Sequence, residues 1–318
     1  MNKIEIGDCR EIMKKWSQES VKAQTCVTSP PYFGLRDYGH KGQIGLEQTP
    51  EEYIDAMVEV FRCVRDVLAD DGTLWLNIGD SYYNYRPGKG QALAKQSVSK
   101  TGQDLPQTCA RRGNKLEGLK EKDLIGIPWM LAFALRADGW YLRQDIIWHK
   151  PNPMPESVRD RCTKAHEYIF LLSKSPKYYY DYEAVKETAV GGASGNKVRT
   201  DATVRSPHFK KGTVASGVPW EGKEKRNRRS VWTVNLKPYK GAHFATFPPT
   251  LIEPCVLAGS RENDIVLDPF MGSGTTAAVA LQNNRQYLGC ELNSDYADLQ
   301  KQRIKSVDTQ KELDFEYY

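Results

Sequence analysis

Short apolar runs alternate with segments of helical spacing along most of this 318-residue chain. The runs TLWLNIGD, EYIFLLSKS and DIVLDPF are almost continuously apolar, which is typical of strands buried on both faces of a sheet. Several segments that separate such runs space their apolar residues as amphipathic helices do. This alternation predicts an α/β fold in which helices cover both faces of a mostly parallel sheet.

One of the predicted helices has a clear start signal. Thr49 is expected to cap it, Pro50 to take its first position, and Glu52 to complete a capping box. Apolar residues then line one face for about five turns. We expect Gly72 to end this helix.

The composition disfavours several broad classes of protein. The longest apolar run, IPWMLAFAL, has nine residues, whereas a membrane-spanning helix needs about 20. The start MNKIEIGDCREIMKKW lacks the apolar segment of a signal peptide. Seven cysteines occur without a CxxC pair, which disfavours a disulfide framework and a structural metal site. We therefore expect a cytoplasmic protein with no membrane partner and no metal.

The positive charge is concentrated in two segments that are rich in Gly, Ser, Lys and Arg. Residues 83–122 carry a net charge of +6 and residues 186–230 carry +7, which leaves about −8 for the rest of the chain. Two solvated loops are the plain interpretation. Basic insertions on an acidic body fit a polyanion partner better.

The segment DIVLDPFMGSGTTAAVA predicts a ligand site. A strand that ends at Asp268, a turn through Gly272 and Gly274, and a helix that begins near Thr275 place free backbone N–H groups around one point. With Glu291 at the end of the next strand, this pattern also fits a dinucleotide fingerprint.

Two cofactors remain open from the residues alone. A nicotinamide dinucleotide would need further βα units, and 27 residues follow Glu291. Phe270 offers a π face and Asp268 a negative charge, both of which attract a cation. S-adenosylmethionine combines a carboxylate, a ribose and a sulfonium cation.

The segment VTSPPYFG interrupts a buried strand. Pro30 and Pro31 have no N–H and cannot continue a strand ladder, so nearby carbonyls lose their usual partners. Either the strand simply ends here, or these carbonyls face a ligand.

The motifs SPPY, DPFMGSGTT and GCEL together resemble those of DNA methyltransferases that modify exocyclic amino groups. Their order, with the catalytic motif first, is similar to that of the circularly permuted β group. The resemblance implies a Rossmann-like methyltransferase with a mostly parallel seven-stranded sheet and a basic inserted target-recognition segment. It implies a catalytic half at residues 1–182 with a basic insertion at 83–122, a target-recognition region at 183–232, and a cofactor-binding half at 233–318.

The same resemblance assigns roles to individual positions. The catalytic residues would be Ser29, Pro30, Pro31 and Tyr32. The residues that bind S-adenosylmethionine would be Asp8, Thr246, Phe247, Asp268, Pro269, Phe270, Gly272, Ser273, Gly274, Thr275 and Glu291. Lys150, Arg199, Arg205, Arg226, Arg228 and Arg229 are predicted to contact phosphates or base edges of double-stranded DNA.

These roles suggest a chemical reason for the two prolines of SPPY. An exocyclic amino group is a poor nucleophile because its lone pair is delocalised into the ring. The Ser29 hydroxyl and the Pro30 carbonyl would hold both amino hydrogens and free the lone pair for an in-line attack on the methyl group. Positioning of this kind supplies about 7–11 kcal/mol. Tyr32 would stack on the base, which must first leave the duplex.

Several alternatives stay open. Serine in SPPY favours cytosine N4 within the resembled group, and adenine N6 remains a second candidate. A nicotinamide-dependent oxidoreductase, a non-catalytic DNA-binding module, and a methyltransferase acting on RNA or on a protein glutamine are more distant. Cys255 lies in an apolar helical pattern and is predicted to be a core residue rather than a nucleophile. A separately encoded restriction endonuclease is a further expected partner, and the protein is expected to be a monomer or a homodimer.

Overall fold

The computed structural model describes residues 1–35, 39–40, 42–83, 118–189, 224–236 and 247–315. Thr246, Arg199, Arg205 and most of the basic insertion 83–122 lie outside the described residues. The chain divides into two compact units. The larger comprises Met1–Asp181 with Arg229–Tyr318, and the smaller comprises Tyr182–Arg228.

The described residues form ten strands. In chain order these are β1 (Lys3–Ile6), β2 (Ala23–Thr28), β3 (Leu68–Ile78), β4 (Tyr141–His149), β5 (His166–Ser173), β6 (Glu187–Thr188), β7 (Lys225–Arg226), β8 (Val231–Thr233), β9 (Ile265–Asp268) and β10 (Gln286–Glu291). Strands β6 and β7 pair with each other in the smaller unit.

The other strands form a single sheet in the order β1-β10-β9-β2-β3-β5-β4-β8. Every neighbouring pair is parallel except the two made by β5, so β5 alone runs against the rest. The mostly parallel α/β fold predicted from the sequence is confirmed. The sheet has eight strands instead of the predicted seven, because Val231–Thr233 adds a strand of three residues that is too short to leave a periodic signal.

The described residues of the larger unit form six α-helices. They are α1 (Cys9–Gln18), α2 (Pro50–Val67), α3 (Ile127–Ala137), α4 (Pro249–Gly259), α5 (Thr275–Gln282) and α6 (Ala297–Phe315). No helix within the described residues combines the length and the apolar character needed to cross a membrane. Cys255 is fully buried in α4, as expected of a core residue.

Helix α2 begins as predicted and ends earlier than predicted. Thr49 accepts from the backbone N–H of Glu52, and the Glu52 side chain accepts from the N–H of Thr49, so the capping box is present. The expectation that Gly72 ends the helix was wrong, since the chain passes directly from Val67 into β3. Gly72 lies inside that strand, where an added Cβ would come within 2.9 Å of the Ala69 carbonyl oxygen.

The strand order determines which residues share an edge of the sheet. Strands β1, β10, β9 and β2 are parallel neighbours, so their carboxyl ends lie side by side. Ile6 lies opposite Glu291 and Gly289 opposite Asp268. In open α/β sheets, ligands bind beyond this edge.

Candidate active site

A cavity opens at the carboxyl ends of these four strands. Its free space, counting the open mouth, is about 1150 Å³. The predicted site residues that line it are Asp8, Ser29, Pro30, Pro31, Tyr32, Phe247, Asp268, Pro269, Phe270, Gly272, Ser273, Thr275 and Glu291. The structure therefore brings together the two motifs that the sequence separates by about 240 positions.

Asp268, at the end of β9, is buried and accepts three hydrogen bonds. Thr28 and Thr276 donate from their hydroxyls at 2.6 Å each, and the backbone N–H of Phe270 donates at 3.0 Å. Burial raises the pKa of Asp268 to about 6 although these donors oppose the shift. The carboxylate is thus ionised at neutral pH, and a cation placed beside it would gain a strong interaction.

The glycine turn between β9 and α5 adopts a backbone that side chains disfavour. Gly272 has a φ of +53° and Gly274 a φ of +85°, both in the left-handed region where glycine carries no steric cost. Helix α6 supports this turn from behind, because Gln300 donates to the Gly272 carbonyl at 2.7 Å and Arg303 donates to the Thr275 hydroxyl.

Ser273 presents a polar atom that is available to a ligand. The residue is buried and lines the cavity. Within the described residues its hydroxyl has no hydrogen-bond partner. A buried polar group without a partner is costly, and a ligand in the cavity could satisfy it.

Two further carboxylates lie at the neighbouring strand ends. Glu291 accepts from the N–H of Gly272 at 2.7 Å and from that of Asn293 at 2.8 Å, and burial raises its pKa. Asp8 caps α1 by accepting from the N–H of Arg10 at 2.8 Å. Hydrogen bonding to the Arg10 guanidinium lowers the pKa of Asp8. Both carboxylates have further lone pairs that can accept hydroxyl groups.

Ser29, Pro30 and Pro31, which we call the serine-proline corner, directly follow β2 and line the same cavity. The Tyr53 hydroxyl donates to the Pro31 carbonyl at 2.9 Å. This contact fixes the corner and engages Pro31 rather than Pro30. The Ser29 hydroxyl forms a hydrogen bond with the Tyr32 hydroxyl. That the Ser29 oxygen and the Pro30 carbonyl accept an amino group stays a prediction.

The Tyr32 ring is held at both its edge and its hydroxyl. The hydroxyl donates to Glu167 at 2.8 Å, and burial together with the nearby Glu167 charge raises the pKa of Tyr32 well above its usual value. Tyr32 therefore stays protonated and acts as a donor. The ring lies so close to Gly79 that an added Cβ there would be 2.7 Å from Tyr32 Cε2.

The predicted DNA-binding residues that the structure describes do not line this cavity. Lys150 forms an ion pair with Glu167, with 14% of its side chain exposed, and its ammonium lies 4.2 Å from the centre of the Trp148 ring. In the smaller unit, Arg226 pairs with Glu187 at 2.8 Å. Arg228 and Arg229 each have an interaction partner too.

Sequence reasoning missed several residues that line the cavity. They are Leu35, His40, Gln43 and Ile44 after β2, and Asn293 and Tyr296 after β10. These residues belong to no motif. The sequence indicates them only through their position, because each group follows the carboxyl end of a parallel strand. That rule applied to every strand end would have found them.

The profile of the DNA methylase family matches residues 23–302. This chain belongs to the DNA methylase family. Membership confirms the predicted activity, the transfer of a methyl group from S-adenosylmethionine to DNA. It also favours this activity over the oxidoreductase and the non-catalytic module.

Individual comparisons agree with this assignment. The methylase is 49% identical over 302 residues to the Type II methyltransferase M.SmaI of Serratia marcescens, covering 95% of this chain and 90% of that protein. Its fold is similar to the PvuII DNA methyltransferase, described as cytosine-N4-specific, with a TM-score of 0.60, 18% identity, and coverage of 95% of this chain and 86% of that one. It is also similar to the M1.HpyAVI–SAM complex, with a TM-score of 0.52, 18% identity, and coverage of 96% of this chain and 99% of that one.

Proposed function

We propose that this methylase modifies the N4 amino group of cytosine in duplex DNA, with adenine N6 as the second candidate. The observation that carries the proposal is the shared cavity, which Ser29, Pro30 and Asp268 all line. Two features favour cytosine. Serine occupies the first position of SPPY, and the structurally similar PvuII enzyme is described as cytosine-N4-specific.

The cofactor end of the cavity suits S-adenosylmethionine, which supplies an electrophilic methyl group on a sulfonium. Asp268 offers a negative charge and Phe270 a ring face to the cationic part of the molecule. The turn through Gly272 and the Ser273 hydroxyl, which has no hydrogen-bond partner within the described residues, would offer polar contacts to its methionine part. Glu291 would accept the ribose hydroxyls.

Further residues complete the cofactor site in this proposal. Asp8 would lie near the adenine ring, and Phe247, which lines the cavity, would pack beside the cofactor together with Thr246. The remaining assigned contacts come from Pro269, Gly274 and Thr275.

The other end of the cavity would receive the flipped base. The Ser29 hydroxyl and the Pro30 carbonyl would accept the two amino hydrogens, which turns the nitrogen lone pair toward the methyl group. Pro31 and the Tyr53 hydroxyl keep this corner rigid. The face of Tyr32 would stack on the base. Catalysis then depends mainly on the orientation of two reactants in one cavity.

DNA contacts are assigned to the basic segments. We propose that the region 183–232 recognises the target between a catalytic half at 1–182 and a cofactor half at 233–318. The insertion 83–122 would also face the duplex. Arg199, Arg205, Arg226, Arg228 and Arg229 would contact phosphates or base edges. Lys150 would support Glu167 in place of the phosphate contact predicted for it, because its ammonium already pairs with that carboxylate.

Two features of the biological setting are also proposed. The Type II methyltransferase relatives suggest a separately encoded restriction endonuclease that is blocked by this methylation. The enzyme would act as a monomer or a homodimer, which light scattering with and without DNA distinguishes.

Expression in a host that lacks other DNA methylases tests this function. Host DNA is digested to nucleosides, and mass spectrometry measures 4-methylcytosine and 6-methyladenine. We expect 4-methylcytosine, its loss in Ser29→Ala, and its retention in Ser306→Ala, which changes an exposed serine on α6. Finding only 6-methyladenine would overturn the choice of base. Finding neither base in DNA from cells that contain folded wild-type enzyme would overturn the proposal.

A further inference from the structure

A carboxylate from β5, which runs antiparallel to its neighbours in the eight-stranded sheet, reaches the proposed catalytic residues. Because β5 runs against its neighbours, its first residues lie beside the carboxyl ends of β3 and β4, with Tyr168 opposite Ile78 and Glu167 opposite Trp148. From there, Glu167 Oε2 accepts the hydrogen bond of the Tyr32 hydroxyl at 2.8 Å. Glu167 is distant from Tyr32 in sequence, and SPPY gives no sign of it.

The Glu167 carboxylate is itself firmly held. Lys150 donates to its Oε1, and the side chains of this pair are 14% and 17% exposed. The Asn77 amide donates to its Oε2 at 3.4 Å and also to the Tyr168 carbonyl at 3.0 Å. An acceptor fixed by two neighbours can fix its own donor in turn.

We propose that Glu167 is a positioning residue that sets the orientation of the Tyr32 ring for the target base. The proposal rests on the function proposed above, in which that ring stacks on the flipped base. Gly79 bounds the ring along one edge, and Glu167 fixes its far end through the hydroxyl. With both anchored, the ring cannot turn about its long axis or swing into the cavity, so its stacking face is set before the base arrives.

The hydrogen bond from Tyr32 to Glu167, which anchors the ring, should contribute to the rate of methyl transfer. A hydrogen bond from a neutral donor to an ionised acceptor is stronger than one between neutral groups. An aromatic platform ordered in advance also avoids an entropy loss when the base stacks. Losing the anchor should slow methyl transfer about tenfold, since small misplacements of reacting groups have effects of this order. The affinity for S-adenosylmethionine should hardly change, because Glu167 is not among the residues that line the cavity.

A double-mutant cycle tests the inference. Tyr32→Phe keeps the ring and removes the hydroxyl. The double substitution Lys150→Met/Glu167→Leu removes both charges of the ion pair. No unpaired buried charge is left, so the fold should persist. We expect each change to lower the single-turnover methylation rate about tenfold, and all three substitutions together to lower it about tenfold rather than about a hundredfold. The KM for DNA and the Kd for S-adenosylmethionine should stay within about twofold.

Independent losses that multiply to about a hundredfold would show that Glu167 does not act through Tyr32. A normal rate in the Lys150→Met/Glu167→Leu protein would equally overturn the inference. If that protein fails to fold by thermal unfolding, Lys150→Met/Glu167→Ala, which also removes the acceptor and both charges, replaces it in the same cycle with the same expectation. Tyr141→Phe, which changes an exposed tyrosine on β4, is the control and should keep the full rate. If the wild type methylates DNA and Ser29→Ala does not, the proposed function is upheld whatever the double-mutant cycle shows. Failure of the inference about Glu167 is therefore distinguishable from failure of the proposed function.

Discussion

The Thr28 hydroxyl donates a hydrogen bond to the Asp268 carboxylate at 2.6 Å, across 240 positions of sequence. Thr28 is the last residue of β2 and precedes Ser29, and Asp268 is the last residue of β9. The two strands are parallel neighbours. This single contact therefore joins the proposed base-binding corner to the proposed cofactor-binding corner, and it makes the geometry of each depend on the other.

The pKa of Asp268 predicts how cofactor binding changes with pH. Burial raises this pKa to about 6, so the carboxylate is charged above that pH and becomes neutral below it. A cationic cofactor should then bind about tenfold more weakly at pH 5 than at pH 7. Calorimetric titration with S-adenosylmethionine measures this. Asp268→Asn should bind weakly at both pH values, while Glu262→Gln, at an exposed position, should follow the wild type. Equal wild-type affinity at pH 5 and pH 7 would contradict the prediction.

Removing the Thr28 hydroxyl should move that pH dependence. Hydrogen bonding from Thr28 lowers the pKa of Asp268, so Thr28→Val should raise the pKa further. The decline in affinity for S-adenosylmethionine should begin at a higher pH than in the wild type, as measured by the same titrations between pH 5 and pH 8. Thr163→Val, at an exposed threonine, serves as the matched control. An unchanged pH midpoint would mean that this hydrogen bond does not tune the carboxylate.

Gly79→Ala should displace the Tyr32 ring. The new Cβ would lie 2.7 Å from Tyr32 Cε2, closer than carbon atoms approach without repulsion. We expect slower single-turnover methylation by about tenfold, with binding of S-adenosylmethionine retained. In a Tyr32→Ala background the ring is absent, so Gly79→Ala should have no additional effect. A further loss of methylation rate in that background would show that Gly79→Ala does not act through the Tyr32 ring.

The capping box of α2 makes a separate prediction about stability. Thr49→Ala removes the acceptor for the Glu52 N–H and should lower the free energy of unfolding by about 1 kcal/mol. Thr49→Ser keeps the hydroxyl and should lose far less. Urea unfolding followed by circular dichroism measures both. Equal stability of the alanine and serine variants would show that the cap contributes nothing.

Sequence alone was sufficient for the features that are encoded locally. The strand-turn-helix pattern around Gly272 and Gly274 predicted a ligand site, and the capping box at Thr49 predicted the start of α2. The resemblance of SPPY and DPFMGSGTT to one family placed both motifs in a common site, and the structure brings them to one cavity. The circularly permuted order and the individual site roles stay predictions.

The features that were missed depend on contacts between distant segments. Lys150 looked like a free cation because its partner Glu167 belongs to the next strand, which runs in the opposite direction. His40, Gln43 and Ile44 reach the cavity because of where β2 ends in the sheet. Gly72 looked like a helix stop, although the pairing of β3 with β2 requires a strand at that point. Periodicity reports burial and carries no information on which segments become neighbours.

Strand order also affects how this protein reaches its native state. Strand β1, at residues 3–6, pairs with β10, at residues 286–291. On the ribosome, β1 therefore cannot join its partner until residues 286–291 have been synthesised, and its apolar residues stay available to chaperones or to other nascent chains meanwhile. Such distant pairing predicts slow folding. It also delays completion of the proposed methyl-transfer cavity until β10 has emerged.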